Sequence, residues 1–154
     1  MILTFKTDVP VTRTMQFDSL YEKKLQFDIR YKRMLIRKGI ALWVFVDGKI
    51  AGEIYGISPR ALDEIIEDVS RGDRSSIYCY STTILREFQG QGLGKVLKAY
   101  WLGLAASQFR VCTGHSTAPA MVAVNEYFGA VHSVKHEDWY GTKRTAWFYR
   151  LQLP

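Results

Sequence analysis

The chain of 154 residues holds only two cysteines and four prolines. Cys79 and Cys112 belong to no CxxC or Cys/His cluster, which excludes a disulfide scaffold and a thiolate metal centre and leaves two reduced, buried thiols. Long hydrophobic runs are also missing. Stretches such as Ile40 to Val46 fall far short of the roughly 20 residues that a membrane-crossing helix needs. The opening residues, Met1 to Lys6, lack the basic segment followed by an apolar one that marks a secretory signal. The expectation is a cytoplasmic protein with no membrane association. No repeat, low-complexity tract or linker interrupts the sequence, so residues 1–154 read as one domain, close to the usual domain size.

Acidic residues are the scarcer charge, 15 against 21 Lys and Arg, giving a net charge of +6. Much of the excess sits in Lys23, Lys24, Arg30, Lys32, Arg33, Arg37 and Lys38. A basic surface of this kind draws nucleic acid, an acidic protein face or a phosphorylated cofactor. It is equally a solvated helix face, and charge alone names no partner. What is plentiful is apolar surface: 47% hydrophobic and 14% aromatic residues, enough for a packed globule and far from a disordered composition.

Residues 2–6 suggest a short first strand, ended by Pro10. From Phe17 to Lys38, the apolar residues Phe17, Leu20, Tyr21, Phe27, Tyr31, Met34 and Leu35 recur at three- and four-residue steps. That spacing predicts the buried face of one helix or of two consecutive helices, closed by Gly39. Ile40 to Val46, the Asp47-Gly48 turn and Lys49 to Ile57 predict a hairpin. Ser58 to Arg74 reads as a polar insertion, helical around Ala61 to Val69 and stopped by Gly72.

Ser76 to Leu85, rich in β-branched and aromatic residues, predicts a strand. Leu93 to Phe109 predicts a helix with Leu93, Val96, Leu97, Tyr100, Trp101 and Leu104 on one side, and Phe109 to Thr113 a short strand. Thr117 is placed to cap a helix with Pro119 in its first turn and Gly129 just past its end. Ala130 to Val134 and Thr145 to Leu153 predict two closing strands around a polar connection. The order implies an α/β fold: a single mixed, mostly antiparallel central sheet with helices on both faces.

The stretch richest in chemistry is Ile84-Leu-Arg-Glu-Phe-Gln89-Gly-Gln-Gly-Leu-Gly94-Lys95, a strand running into a glycine-rich turn that opens a helix. Glycines on alternate positions let the backbone approach a ligand closely. The free N–H groups and dipole of the following helix then favour an anion such as a diphosphate. A Walker A loop does not fit, because Gly90 leads Gly-x-x-x-Gly-Lys and then Val96, with no hydroxyl for magnesium. A dinucleotide fingerprint does not fit either: Gly90, Gly92 and Gly94 spell GxGxG rather than GxGxxG.

What does fit is Gln/Arg-x-x-Gly-x-Gly/Ala, here Gln89-Gly-Gln-Gly92-Leu-Gly94, which resembles the acyl-CoA motif of the GNAT superfamily of N-acetyltransferases. The Asp47-Gly48 hairpin, the strand ending at Ile84-Leu85, the strand near Val111, the Tyr127-Phe-Gly-Ala130 helix end and the closing hairpin follow that family's order. The resemblance covers about Ile40 to Leu153. It implies that acetyl-CoA lays its diphosphate on Gln91, Gly92, Leu93, Gly94 and Lys95, with Gln89 and Gly90 at the entrance. It also implies that the backbone of Ile84, Leu85 and Arg86 pairs with the pantetheine arm. Arg86 stands where many members have proline.

The resemblance further implies acetyl transfer to an amine by direct attack on the thioester. A lysine-like ammonium must first lose a proton, at about 4.6 kcal/mol at neutral pH for a pKa near 10.4, and a base offsets this cost. An acid then protonates the departing thiolate. Many members supply that acid as a tyrosine four residues before the helix-ending glycine, and this chain has Asn125 there. Tyr127 is the nearby alternative, although two residues along a helix turn it by about 200°.

Glu53 and His115 are the candidate bases, each with a plainer reading as a paired carboxylate or a loop hydrogen bond. Strand alternation puts Tyr78, Tyr80 and Thr82 on the same face as Ile84; some members carry a glutamate at the position of Tyr78, and this chain does not. Proximity alone, with bulk water taking the proton, is a further route. His132, His136, Glu137 and Asp138 show no metal-ligand spacing, so no metal is expected.

The expected partner is an amine-bearing acceptor, protein or small molecule, lying between the N-terminal helices and the loop Lys135 to Arg144. A homodimer is open, and nucleic acid is the weaker alternative. The competing reading is a CoA-binding regulatory or interaction protein with little or no turnover, which the Asn125 substitution favours.

Overall fold

A computed structural model describes residues 1–10 and 29–154. Its described elements run β1 (Leu3–Lys6), α1 (Ile29–Lys38), β2 (Ile40–Val46), β3 (Lys49–Ile57), β4 (Ser76–Ile84), α2 (Leu93–Ala105), β5 (Val111–Ser116), α3 (Pro119–Tyr127), β6 (Val131–His136) and β7 (Ala146–Gln152). The helical periodicity expected from Phe17 is met from Ile29 onward; its earlier part lies outside the described residues.

The seven strands form one sheet in the order β1-β2-β3-β4-β5-β7-β6. Every neighbouring pair is antiparallel except β4 and β5. The mixed, mostly antiparallel sheet expected from the sequence is therefore present, with helices on both faces. β2 explains why its sequence is apolar throughout rather than alternating. Leu42, Val44 and Val46 face Leu97 and Trp101 of α2, while Ala41, Trp43 and Phe45 join Leu35 of α1. A strand covered on both sides has no polar face. Burying each Val, Leu or Phe side chain among them is worth about 1.5–3 kcal/mol.

Four local expectations are corrected. Residues 61–69 are not helical: a single 3-10 turn at Pro59–Ala61 is followed by irregular chain. Leu62 and Ile66 are buried at helix-like spacing, but side chains rather than helical hydrogen bonds hold the segment. Arg71 donates to the Leu62 carbonyl at 2.5 Å, and Glu64 Oε1 accepts from the hydroxyls of Tyr31 and Tyr80, each at 2.6 Å. α2 ends at Ala105, and its buried face is rotated from the expected one. Lys98 is fully buried while Tyr100 is 57% exposed. β5 runs to Ser116, which takes in His115. α3 is preceded by Ala118 with no side-chain cap, so Thr117 does not cap it; Pro119 does open it.

Candidate active site

Among the described strands β4 and β5 are the only parallel neighbours, and their pairing stops early. Ser76↔Val111 through Cys79↔Gly114 are in register, and nothing beyond them pairs. At the same level β4 carries a bulge, since Tyr55 pairs with Ser81 and Gly56 with Cys79, leaving Tyr80 as the extra residue. The two strands splay from there and open a groove of about 690 Å³. Tyr80 to Ile84 form one wall, and His115 to Ala118 with the start of α3 form the other.

The bulge also changes which face a side chain takes. Tyr78 and Tyr80 pack with the α1 side of the sheet, whereas Ile84 packs with the α2 side. Strict alternation, which puts Tyr78, Tyr80, Thr82 and Ile84 together, fails at this one inserted residue.

One end of the groove is the glycine turn. Gly90 and Gly92 have φ of 78° and 79°, a region that costs a side-chain-bearing residue about 1–2 kcal/mol. A Cβ at either would meet nothing within 4 Å, so both face open space. Gly92 is the N-cap of α2 and offers no side-chain cap. The first N–H groups of that helix therefore point outward with no side-chain partner at the cap, as an anion requires. α3 also starts at the groove, again without a side-chain cap. Of the ten residues expected to hold the cofactor, Ile84, Gln89, Gly90, Gly92, Leu93, Gly94 and Lys95 line the groove; Leu85, Arg86 and Gln91 do not. Leu85 packs beneath β3 instead, its N–H donating to the carbonyl of Ala51. Gln89 Nε2 donates to the Ile84 carbonyl at 2.9 Å and ties the turn to the strand. The diphosphate and acetyl thioester of acetyl-CoA fit these features: an open glycine cradle, an uncapped helix start and an unpaired strand edge.

The four catalytic candidates separate. Asn125 lines the groove and is 2% exposed; its Nδ2 donates to Ser116 Oγ at 2.8 Å. Ser116 in turn bonds His132 Nε2 at 3.0 Å. His115 also lines the groove. Its Nδ1 accepts the Tyr78 hydroxyl at 2.7 Å, and its Nε2 donates to Asp68 Oδ2 at 2.9 Å. Burial lowers the His115 pKa to about 4 against the opposing pull of Asp68, so the ring is neutral at pH 7.

Glu53 does not line the groove. One carboxylate oxygen accepts from Lys32 Nζ at 2.6 Å and the other from Trp43 Nε1 at 2.9 Å, which corrects its assignment as a base. It also shows that Lys32, placed on a solvated basic face by the sequence, is a buried ion-pair partner. Tyr127 is 65% exposed and outside the groove lining, with Lys95 Nζ 3.3 Å from its ring centre. Its ring lies against Lys95, in the first turn of α2.

Tyr149 and Cys79 also line the groove, with no signal in the sequence, while Trp139, Thr142 and Arg144 reach it from the β6–β7 connection, within the loop expected to meet the acceptor. Gly114 is needed beside them, because a Cβ there would stand 2.5 Å from the Tyr149 hydroxyl.

No protein-family model matches the sequence, and no curated protein matches it significantly. Solved structures do match the fold. The ribosomal-protein-S18-alanine N-acetyltransferase of Escherichia coli superposes with a TM-score of 0.71 at 13% identity, over 99% of this chain and 94% of that one. The yncA protein of Salmonella typhimurium, solved with its cofactor acetyl-CoA, gives 0.73 at 16%, over 100% and 95%. A Desulfovibrio desulfuricans protein assigned to the GNAT acetyltransferases gives 0.68 at 14%, over 99% and 100%. The chain has the GNAT fold, as the glycine motif implied.

Proposed function

We propose that this protein is an acetyl-CoA-dependent N-acetyltransferase that moves the acetyl group directly to an amine within one ternary complex. The observation that carries the reading is the splay of β4 from β5, with the open Gly90–Gly92 cradle at one end and polar groups at the other. Acetyl-CoA supplies the acetyl group as an activated thioester. The N–H groups at the start of α2 and the Lys95 ammonium hold its diphosphate. The unpaired edge of β4 from Ser81 to Ile84 holds the pantetheine arm as an added strand.

The acceptor amine enters beside Trp139, Thr142 and Arg144. Tyr78, hydrogen-bonded to His115 Nδ1, receives the amine proton while passing its own to the ring. Asn125 and Ser116 stand at the sulfur end and stabilise the leaving thiolate by hydrogen bonding. Asparagine has no ionisable proton, which favours one competing reading, a CoA-binding protein with little turnover.

Thiol release from acetyl-CoA, measured over peptide N-termini, lysine and small amines, separates the two. Amine-dependent release with intersecting initial-rate lines is expected. CoA binding with no amine raising the release above hydrolysis would leave the regulatory reading in its place.

A further inference from the structure

Three residues far apart in sequence meet around His115, which lines the groove. Asp68 comes from the irregular segment after β3, His115 from β5 and His136 from β6. The Nε2 atoms of both imidazoles donate to one oxygen, Asp68 Oδ2, at 2.9 and 2.7 Å. All three side-chain donor atoms lie within 4.8 Å of one another.

The opposite nitrogen of each ring is held from behind. His115 Nδ1 bonds the Tyr78 hydroxyl at 2.7 Å, and His136 Nδ1 stands 3.1 Å from Glu67 Oε2. Metal-ligating histidines are oriented in this way, with the second nitrogen fixed by a carboxylate or another polar group. Trp139 stacks on His115 at 4.1 Å between ring centres and lies 5.0 Å from His136, walling the cluster on one side.

We propose that Asp68, His115 and His136 bind a divalent cation of the zinc class. Two imidazoles and one carboxylate suit zinc and its transition-metal neighbours; magnesium and calcium prefer sites built from oxygen alone. Tetrahedral donors at zinc bond lengths stand about 3.3 Å apart. The Asp68 oxygen and the two rings therefore need to open by about half an ångström. At His115 the single ring proton shifts from Nε2 to Nδ1, where it donates to the Tyr78 oxygen; at His136 a proton stays on Nδ1, facing the Glu67 carboxylate, so each Nε2 lone pair is left for the cation. Three protein ligands leave a fourth position for water.

The cation and the proton path through Tyr78 exclude each other, since a ring bound at Nε2 has no free Nδ1 lone pair. That consequence rests on the acetyltransferase reading; the binding does not.

The test uses the untagged full chain after chelator treatment. Zn²⁺ is titrated by calorimetry and Co²⁺ by visible absorption, with melting temperature read in parallel. One cation per chain is expected, with a raised melting temperature and no response to Mg²⁺. Asp68→Asn suits the backbone there, where φ is 70°; this change and His136→Ala should each weaken binding about 100-fold or more. Glu67→Gln, which loosens only the outer partner, should cost about tenfold. Circular dichroism checks that the variants are folded. Absence of stoichiometric binding, or affinity unchanged in folded Asp68→Asn and His136→Ala, would overturn the site. These readouts need no acetyl transfer, so a failed amine assay and a failed metal titration are told apart.

Discussion

Lys98 Nζ donates a hydrogen bond of 2.9 Å to the Tyr149 hydroxyl in the closed interior of the protein. Among the described residues no carboxylate stands within ion-pair distance of that amine. The thiols of Cys79 and Cys112 lie alongside. Burial pushes Cys112 up to about 12 and Tyr149 well above the usual phenol range, so both are neutral partners at pH 7. Tyr149→Phe would leave the amine without its oxygen partner and should cost about 1–3 kcal/mol in urea unfolding. Lys98→Met combined with Tyr149→Phe removes both polar groups and should lose less than Tyr149→Phe alone. Equal losses would mean that the hydrogen bond is not what makes the position sensitive.

The glycine turn gives a sharper contrast. Gly92→Glu puts a carboxylate into the cradle at a positive φ and should abolish CoA binding. At Gly94 a Cβ would meet Ile84 at 3.8 Å and Met121 at 4.0 Å, ordinary contact distances. Gly94→Ala should therefore fold normally and retain CoA binding. Calorimetry with CoA reads both, and the melting temperature of the parent protein should rise with CoA much more than with ATP or NAD. Unchanged CoA affinity in a folded Gly92→Glu protein would remove the cradle from the reading.

Much of this was legible in the sequence for physical reasons. Strands buried on both faces are written as unbroken apolar runs, and the glycine turn is local, so β2 and Gln89 to Lys95 could be found by inspection. The loop around Leu62 and Ile66 was misread because its burial follows a helical step while its hydrogen bonds come from Arg71, Tyr31 and Tyr80. Lys98 was missed because a lysine at a buried helix position has the same letter as an exposed one. Asp68 lies 47 residues from His115 and 68 from His136, so only the sheet order brings them together. One bulged residue, Tyr80, undid the alternation that assigned faces along β4.

Acid stability should follow the His115 ring. Its folded pKa of about 4 lies below the ordinary 6.5, so as pH falls from 6.5 the unfolded chain takes up a proton that the fold refuses. Stability therefore drops between about pH 6.5 and 4, by about 3 kcal/mol at 1.36 kcal/mol per unit. Asp68 extends the loss. Burial alone would raise its pKa, but the hydrogen bonds from His115 and His136 outweigh that and hold it below 3.8, so its contribution disappears only at still lower pH. Urea midpoints measured in a chelating buffer should show the first drop, and His115→Gln should flatten it. A parent protein with constant midpoints between pH 6.5 and 4.5 would contradict the buried neutral ring.

The remaining prediction concerns Asn125, at the proposed sulfur end of the groove. Asn125 Nδ2 bonds Ser116, while its Oδ1 is buried with no described partner, so the side chain offers hydrogen bonding and no proton. Asn125→Ala should reduce turnover by about tenfold or less, the worth of a neutral hydrogen bond of about 0.5–1.5 kcal/mol. Asn125→Tyr would supply a phenol where many GNAT enzymes have one, and turnover should hold or rise if the groove admits the ring. Tyr127→Phe removes only a hydroxyl at the surface, beside Lys95, and should leave the rate nearly unchanged. General acid catalysis contributes about 10²–10⁴-fold, well outside these expectations. A hundredfold loss in Tyr127→Phe with normal CoA binding would show that α3 turns that hydroxyl toward the sulfur during the reaction.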